Sequence, residues 1–317
     1  METKHLVIFE KSMNSRFIGL ADKNKMSYST FNMENEIKGN FLLTIINRLI
    51  NRASLYKKIQ NEISFIKENG IDVVYLSNTE GYIGFTGATT LKKKLPKLKI
   101  IALQHGIFPL ESSLFNTVIK KVINKIIYTC FGIFAFGEGF GSLKVNRYIV
   151  YGNPEKEFLI NTKNWGAKDV EVNLKFLKSY LLKKDEINFT NSNNNVILLL
   201  QSLSDSRLCS KKNENILIEQ TIKYLSKKYN KVYIKEHPYC KKRIQKFKLP
   251  ENTEIIDNMI SGFYKSQKAY SFFSTALIDA KFFNLETVAI YSSKIKVKRS
   301  IYQSFETIVN FENEIRT

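Results

Sequence analysis

The sequence predicts an α/β fold of two Rossmann-like domains, each with a parallel sheet covered by helices. Short β-branched runs alternate with longer helical patterns along the chain. This alternation stops at the polar, turn-rich stretch Asn188–Asn195 and then begins again. We therefore place the first domain at residues 1–188 and the second at residues 189–317. We expect two open sheets that face each other across a cleft, with ligands at the carboxyl ends of their strands.

The first domain contains five runs with strand character and three helical patterns. The longest helical pattern has apolar residues at positions 42, 45, 46, 49 and 50 and ends at Gly70, which is a frequent helix terminator. The predicted strands are His5–Phe9, Asp72–Leu76, Leu98–Leu103, Ile133–Phe136 and Tyr148–Tyr151, and the predicted helices are 41–69, 86–95 and 117–128.

The second domain repeats the alternation with five strands and three helices. Its first strand is a continuous apolar run, which is typical of a strand buried on both faces. The predicted strands are Val196–Leu200, Lys231–Lys235, Glu254–Ile256, Tyr270–Phe273 and Thr287–Tyr291, and the predicted helices are 213–229, 260–265 and 276–283.

The chain is strongly basic, with 49 Lys and Arg against 29 Asp and Glu and a formal charge of +20. Such an excess favours an anionic partner, which includes nucleic acid, an anionic membrane surface and a phosphorylated substrate. The three cysteines show no disulfide or metal-ligand spacing, so we expect no metal site. No signal-peptide pattern occurs, and no apolar run approaches the roughly 20 residues of a spanning helix. We expect a cytoplasmic protein with peripheral contact to the inner face of the membrane.

Two of the three histidines come directly after predicted strands. His105 precedes Gly106, and His237 precedes Pro238. A histidine at a strand end faces the ligand edge of a parallel sheet, where imidazole can act as a base or contact a phosphate. Basic residues at Lys241–Arg243 follow the second histidine and suit an anionic ligand.

Polar residues also follow two other strands of the second domain. Ser274 and Thr275 lie between a strand and a helix, and Ser274 is a candidate helix cap. Hydroxyl groups at this junction can also bind a phosphate. The first strand of this domain ends in Gln201, Ser202, Leu203 and Ser204, where a nucleotide phosphate or ribose would meet the loop.

In the first domain, Glu80 and Gly81 follow the strand that ends at Leu76. A carboxylate at a strand end can act as a general base. A second glycine-rich turn, Gly137–Gly141, suggests no particular role. No GxGxxG fingerprint and no Walker loop occurs in the sequence.

Three stretches of the second domain resemble the donor domain of bacterial lipooligosaccharide sialyltransferases and polysialyltransferases. Residues 196–204 resemble a strand-Gln-x-Leu-Ser stretch, Lys235-Glu236-His237-Pro238 resembles the His-Pro motif, and 273–277 resemble the Ser-Ser/Thr motif. The resemblance implies a GT-B fold, a CMP-sialic acid donor, inversion at the anomeric carbon and no metal or other cofactor. It also implies that His237 helps the CMP phosphate to leave, and that Ser274 and Thr275 bind the same phosphate.

The resemblance leaves two candidates for the general base. These families place it in an acidic-acidic-Gly motif, which corresponds here to Thr79-Glu80-Gly81, with threonine at the first acidic position. Gln104-His105-Gly106 is similar instead to the His-Gly element of capsule and teichoic-acid transferases, which use CDP-glycerol, CDP-ribitol or CMP-Kdo. There the histidine would be the base, so that either Glu80 or His105 fills this role.

We therefore interpret the chain as a glycosyltransferase that moves sialic acid or a related nonulosonic acid from a CMP donor to a cell-surface glycan of capsule or lipooligosaccharide. One alternative keeps the fold and transfers from CDP-glycerol, CDP-ribitol or CMP-Kdo. A second alternative is a basic nucleic-acid-binding protein, which only the charge supports. A third is a GT-B protein that has lost catalysis and serves as an assembly partner.

Overall fold

The computed structural model describes residues 2–9, 14–31, 41–108, 114–181, 194–206, 208–237 and 244–316. These residues form two compact units, of which the first holds residues 1–105 and 111–183 and the second holds residues 106–110 and 184–317. The predicted boundary after residue 188 lies outside the described residues. Each unit contains one six-stranded sheet in which every pair of neighbouring strands is parallel. The predicted α/β class with two parallel sheets is confirmed.

The first unit has the strand order β2-β1-β3-β4-β5-β6. Its central strands are almost entirely buried and apolar, as expected for a parallel sheet with helices on its faces. Its elements are β1 (Lys4–Ile8), α1 (Asn14–Lys23), β2 (Ser27–Thr30), α2 (Phe41–Ile50), α3 (Arg52–Glu68), β3 (Val73–Leu76), α4 (Tyr82–Lys94), β4 (Lys99–Leu103), α5 (Leu114–Phe131), β5 (Arg147–Val150), α6 (Asn153–Lys163), β6 (Val170–Val172) and α7 (Leu174–Leu177).

The second unit has the strand order β12-β11-β10-β7-β8-β9. Its core combines residues of the central strands with the inner face of its longest helix, including Leu198, Val232, Leu217 and Leu225. Its elements are β7 (Asn195–Leu199), α8 (Lys211–Lys228), β8 (Lys231–Lys235), β9 (Thr253–Ile255), α9 (Met259–Tyr264), β10 (Lys268–Ser271), α10 (Ala276–Phe282), β11 (Glu286–Tyr291) and β12 (Thr307–Asn310).

The predicted strand Ile133–Phe136 is wrong, because this segment is irregular. Side chains satisfy its backbone groups instead of a neighbouring strand. The amide of Phe134 donates to Thr86 Oγ1 at 3.1 Å, and the amide of Phe136 donates to Asn124 Oδ1 at 2.8 Å. Arg48 donates to the carbonyl of Ala135. An apolar run of four residues predicts burial, and these polar partners decide its backbone conformation.

The predicted helix over 41–69 is two helices, α2 and α3, which are separated at Asn51. The backbone angles of Asn51 (φ −81°, ψ 0°) depart from helical values, and its side chain and its amide both donate to the carbonyl of Asn47 at 3.0 Å. Helix α4 begins at Tyr82, four residues before the predicted start at residue 86. Glu80 therefore lies immediately before the first turn of α4.

Candidate active site

Three loops of the second unit leave neighbouring strands at one edge of its sheet. Strand β7 lies between β10 and β8, and it is parallel to both. The register pairs Leu199 with Lys235, so that Gln201 and His237 each lie two residues beyond a paired position. The same register brings the loop after β10, which carries Ser274, to this edge. The three predicted strand-end sites are thus brought to neighbouring positions, as their pattern in the sequence suggests.

Gln201 connects two of these loops. Its Oε1 accepts a hydrogen bond from the amide of Phe273 at 2.9 Å, and Ser271 Oγ lies 3.4 Å from the same oxygen. Gln201 is half-buried. Its side-chain carbonyl therefore holds the backbone that leads into Ser274 and Thr275.

The helix after this loop begins one residue later than a cap at Ser274 requires. Thr275 occupies the N-cap position of α10, has helical backbone angles (φ −57°, ψ −23°) and makes no capping hydrogen bond through its side chain. Ser274 Oγ accepts instead from the amide of Ala276 at 3.2 Å. Both residues are half-buried.

The predicted residues Ser202 and Ser204 use their hydroxyl groups inside their own loop. Ser202 Oγ donates to Asp205 Oδ2 at 2.8 Å, and Ser204 Oγ donates to Glu214 Oε2 at 2.6 Å. The Glu214 carboxylate is fully buried and also accepts from the amide of Leu203 at 2.8 Å. These contacts fix the shape of the loop after β7, and no pattern in the sequence identifies Glu214 as their partner.

The loop after β8 carries the second predicted histidine. His237 and Lys235 are half-buried, and Lys235 Nζ donates to the carbonyl of Glu236 at 3.0 Å. Glu236 Oε1 accepts from the amide of Ile244 at 2.8 Å, which closes the loop at its far end. The predicted residues Pro238 and Lys241–Arg243 lie outside the described residues.

A second group of candidate residues lies within the first unit, at the ends of the neighbouring strands β3 and β4. Glu80 follows β3 and His105 follows β4. Glu80 Oε2 lies 3.5 Å from His105 Nδ1, and each side chain is only 9% exposed. The two candidates for the general base are therefore one pair.

The turn that carries Glu80 is built by Asn78. Its Oδ1 accepts hydrogen bonds from the amides of Glu80 and Gly81, both at 2.9 Å, which is an Asx turn before α4. Two glycines pack directly against this turn. A Cβ atom at Gly84 would collide with the Asn78 carbonyl, and one at Gly137 would collide with the Glu80 carbonyl. The Gly137 turn, for which the sequence suggested no role, thus supports the Glu80 turn from the side.

Tyr148, in the middle of β5, completes the surroundings of Glu80. Its phenol donates to Glu80 Oε1, and Thr79 donates to both carboxylate oxygens, through Oγ1 at 3.0 Å and through its amide at 3.1 Å. Burial raises the pKa of the Glu80 carboxyl, and the hydrogen bonds from Tyr148 and Thr79 partly oppose this rise. Burial and the adjacent carboxylate raise the pKa of Tyr148 well above its usual range, so that its phenol remains a proton donor.

The backbone around His105 is also held by side chains. Arg16 Nη1 donates to the His105 carbonyl at 3.3 Å, and Gln104 Oε1 accepts from the amide of Tyr151 at 2.8 Å. Gly106 follows and is half-buried. The third histidine, His5, is fully buried in the sheet beside Ser27, Ser29 and Glu62, as a structural residue would be.

These two groups of residues have different chemical capacities. A histidine beside a buried carboxylate can accept a proton and have the resulting charge stabilised. Half-buried hydroxyl and imidazole groups at strand ends can donate hydrogen bonds to an anion. Within the ranges that the structure describes, no group of three or more His, Cys, Asp or Glu side chains is arranged to hold a metal ion.

Residues 145–298, just under half of the chain, match the model of glycosyltransferase family 52, a sialyltransferase family. The matched stretch begins just before β5 and ends after β11, so that it contains all three strand-end loops of the second unit. No curated protein sequence matches the chain significantly.

The fold is similar to that of solved glycosyltransferases. SnogD from Streptomyces nogalater has a TM-score of 0.53 at 12% identity, over 92% of this chain and 82% of that one. Spinosyn rhamnosyltransferase SpnG has a TM-score of 0.50 at 9% identity, over 91% and 80%. The complex of SpnG with thymidine diphosphate also has a TM-score of 0.50, over 98% and 87%. The chain thus has the GT-B type of fold, and its match to family 52 supports a glycosyltransferase of the sialyltransferase type.

Proposed function

We propose that this protein transfers sialic acid or a related nonulosonic acid from a CMP-activated donor to a cell-surface glycan, with inversion and without a metal ion. The observation that carries the proposal is the placement of Gln201, His237 and Ser274 at the ends of three neighbouring parallel strands. The match of residues 145–298 to a sialyltransferase family supports the same donor class.

The second unit binds the donor in this proposal. His237, Ser274 and Thr275 donate hydrogen bonds to the CMP phosphate, where negative charge increases as the bond to the sugar breaks. Preorganised donors aimed at such a charge are among the largest contributions to enzymatic rate. Gln201 acts through the loop that it holds, because its Oε1 is engaged with the amide of Phe273. The proposed transfer uses no metal ion, so we expect the rate to be unaffected by EDTA.

The first unit supplies the general base, and the geometry favours His105 over Glu80 for this role. Both oxygens of the Glu80 carboxylate already accept hydrogen bonds from Thr79, and one accepts from Tyr148 as well. Glu80 Oε2 faces His105 Nδ1, so that Nε2 is the nitrogen that takes the proton of the acceptor hydroxyl. The hydroxyl oxygen then bonds to the anomeric carbon while the bond from that carbon to the CMP phosphate breaks. Glu80 stabilises the imidazolium that forms.

A second candidate is a transferase that uses CDP-glycerol, CDP-ribitol or CMP-Kdo. The position of His105 beside a carboxylate favours it, because the Gln104-His105-Gly106 element resembles that of capsule and teichoic-acid transferases. The fold and the three strand-end loops that bind the donor are the same in both candidates. They differ in the group that is attached to the cytidine nucleotide.

Release of cytidine nucleotide from a panel of donors distinguishes the candidates. We expect the purified full chain to release CMP from CMP-sialic acid faster than from CMP-Kdo, and to leave CDP-glycerol and CDP-ribitol intact. The variant His237→Ala should lower the rate on the order of 100-fold, the effect of losing one well-placed donor. Hydrolysis of CDP-glycerol alone would establish the second candidate, and an unchanged rate in His237→Ala would exclude the role of this histidine.

A thermal-shift comparison of CMP, CDP, UDP and GDP tests the nucleotide class without an acceptor. A ligand that binds only the folded state raises the apparent stability with its occupancy, by about 2.7 kcal/mol at 100 times its Kd. We expect the cytidine nucleotides to give the largest shift. Tight binding of CMP without turnover of any donor would instead indicate a GT-B protein that has lost catalysis.

A further inference from the structure

The first unit exposes apolar side chains in one region far more than elsewhere. Seven of the twelve large apolar residues that are exposed among the described residues lie on α2 and α5. On α2, Leu42, Ile46 and Ile50 are 63%, 43% and 73% exposed. Their spacing of four residues places them in one row along the helix, while Ile45 and Leu49 pack against the core from the other side. Helix α2 is therefore apolar on its outer face as well as on its inner face.

Helix α5 combines exposed apolar and basic residues. Val122 and Ile126 are 53% and 57% exposed, and Lys121 and Lys125 beside them are also exposed. Ile127 is buried in the core, which fixes the opposite side of the helix. Such a helix presents an apolar row next to a basic row to the solvent.

The first turn of α3, which follows α2 directly, contacts the end of α5 within the first unit. The guanidinium of Arg52, just after α2, lies 5.3 Å from the centre of the Phe131 ring, which is 40% exposed at the end of α5. Tyr56 Oη donates to the carbonyl of Gly132 at 2.9 Å. We call the exposed apolar residues around this junction the α2–α5 face, which consists of Leu42, Ile46, Ile50, Val122, Ile126 and Phe131.

The charge of this region selects one kind of partner. Neither α2 nor α5 contains an acidic residue, and the chain as a whole carries +20. A second copy of so basic a chain would be repelled, whereas an anionic lipid surface attracts each nearby Lys or Arg by about 1 kcal/mol. Apolar side chains beside basic ones are typical of helices that lie in the headgroup region of a membrane. No helix within the described residues is long and apolar enough to cross a membrane.

We propose that the α2–α5 face lies in the headgroup region of an anionic phospholipid membrane and holds the protein at its surface. The apolar rows enter the boundary between headgroups and acyl chains, and Lys121, Lys125 and Arg52 contact the lipid phosphates. This proposal does not depend on the donor, because none of these residues belongs to the strand-end sites.

Vesicle flotation of the full chain tests the proposal. We expect binding to vesicles of phosphatidylcholine with 30% phosphatidylglycerol, a composition that is about one-third anionic, and little binding to phosphatidylcholine alone. The variant Leu42→Gln/Ile50→Gln should lower the partition coefficient at least about tenfold, because a buried aliphatic side chain contributes roughly 1.5–3 kcal/mol. The variant Lys121→Gln/Lys125→Gln should weaken binding to the anionic vesicles and reduce its dependence on salt.

The matched control is Ile255→Gln/Ile308→Gln, which replaces two exposed isoleucines of the second unit. It should bind the anionic vesicles as the parent does, and all variants should keep the parent thermal midpoint, because each replaced side chain is exposed. Equal binding of parent and Leu42→Gln/Ile50→Gln would overturn the proposal, as would equal binding of the parent to neutral and anionic vesicles. The proposal would also be overturned if the parent sedimented as a dimer and only Leu42→Gln/Ile50→Gln sedimented as a monomer. The α2–α5 face would then join two copies of the chain.

Discussion

The candidate residues of the two units differ in how they are held. His105 and Tyr148 are buried, and the Glu80 side chain, which is 9% exposed, contacts both of them and the adjacent Thr79. Ser274, Thr275 and His237 are half-buried and lie on loops. The loop of Ser274 and Thr275 is held by the hydrogen bond from the Phe273 amide to Gln201. A buried pair of titratable groups suits proton transfer, because burial and neighbouring charges can adjust pKa values to that task. Half-exposed donors suit a ligand that enters and leaves. This difference supports our proposal that the first unit supplies proton transfer and the second unit binds the donor.

The largest effect should come from removing the base. We expect His105→Ala to lower the rate of glycosyl transfer by about 10²–10⁴-fold, the usual contribution of general base catalysis. Rates of transfer to a glycan acceptor at saturating CMP donor measure this effect, and added imidazole should restore part of the rate. Affinity for CMP should be unchanged, because the donor loops belong to the other unit. A transfer rate equal to that of the parent would show that His105 is not the general base, and Glu80 would then be the next candidate.

The next largest effect should come from removing the Ser274 hydroxyl, in the loop after β10 that we propose binds the donor. A hydrogen bond to a charged group contributes about 1.5–3 kcal/mol, so Ser274→Ala should raise the KM for the CMP donor by roughly 10–100-fold. Ser226 near the end of α8 lies toward the opposite edge of the same sheet, and Ser226→Ala is the matched control. Steady-state kinetics with varied donor separates KM from kcat. An equal KM in Ser274→Ala and Ser226→Ala would show that the Ser274 hydroxyl does not bind the donor.

The contact between the Gly137 turn and Glu80 should matter for stability. A methyl group at Gly137 would collide with the Glu80 carbonyl, so Gly137→Ala should lower the free energy of unfolding by about 1–3 kcal/mol, as other overpacking substitutions do. Gly139→Ala is the control, since its nearest neighbours would be Lys163 Nζ at 3.7 Å and Ser142 Oγ at 3.8 Å, which is ordinary contact. Denaturant unfolding compares the two variants, and equal midpoints would show that the turn adjusts without cost.

The smallest effect should be a change in pH dependence. The hydrogen bond from Tyr148 lowers the pKa of Glu80, and Tyr148→Phe removes it. The pKa of Glu80 should then rise further, the carboxylate should become protonated at a higher pH, and the acid limb of kcat/KM should move to higher pH. Tyr75→Phe is the control, because Tyr75 lies on β3 and packs against Phe176 instead of donating to the Glu80 carboxylate. An acid limb that moves to lower pH, or equally in both variants, would contradict the effect of the Tyr148 hydrogen bond on the Glu80 carboxyl.

The sequence predicts the strand ends well and their neighbours poorly. The strand runs before Gln201, His237 and His105 are apolar and short, and polar residues follow each of them, so that both the elements and the candidate sites can be placed from pattern alone. The order β10-β7-β8, which makes the loops of Ser274, Gln201 and His237 neighbours, is a property of the whole sheet and not of any local stretch.

Tyr148 and Gly137 show why the rest could not be predicted. Tyr148 lies within a predicted strand, where an aromatic residue is ordinarily part of the core, and its partner Glu80 is 68 positions away. Gly137 matters because of the carbonyl that approaches it, and no pattern around position 137 contains this information. Asn78 is different, because an Asn two residues before Glu80 is a recognisable Asx-turn pattern that could have indicated a fixed carboxylate.

The most direct test of this division of roles is calorimetric titration of CMP into the parent, His237→Ala and His105→Ala. We predict that His237→Ala weakens CMP binding by about tenfold or more, as the loss of a hydrogen bond to a phosphate does. We predict that His105→Ala binds CMP as the parent does while it fails to transfer the sugar. Unchanged affinity in His237→Ala, or loss of CMP binding in His105→Ala, would contradict the account.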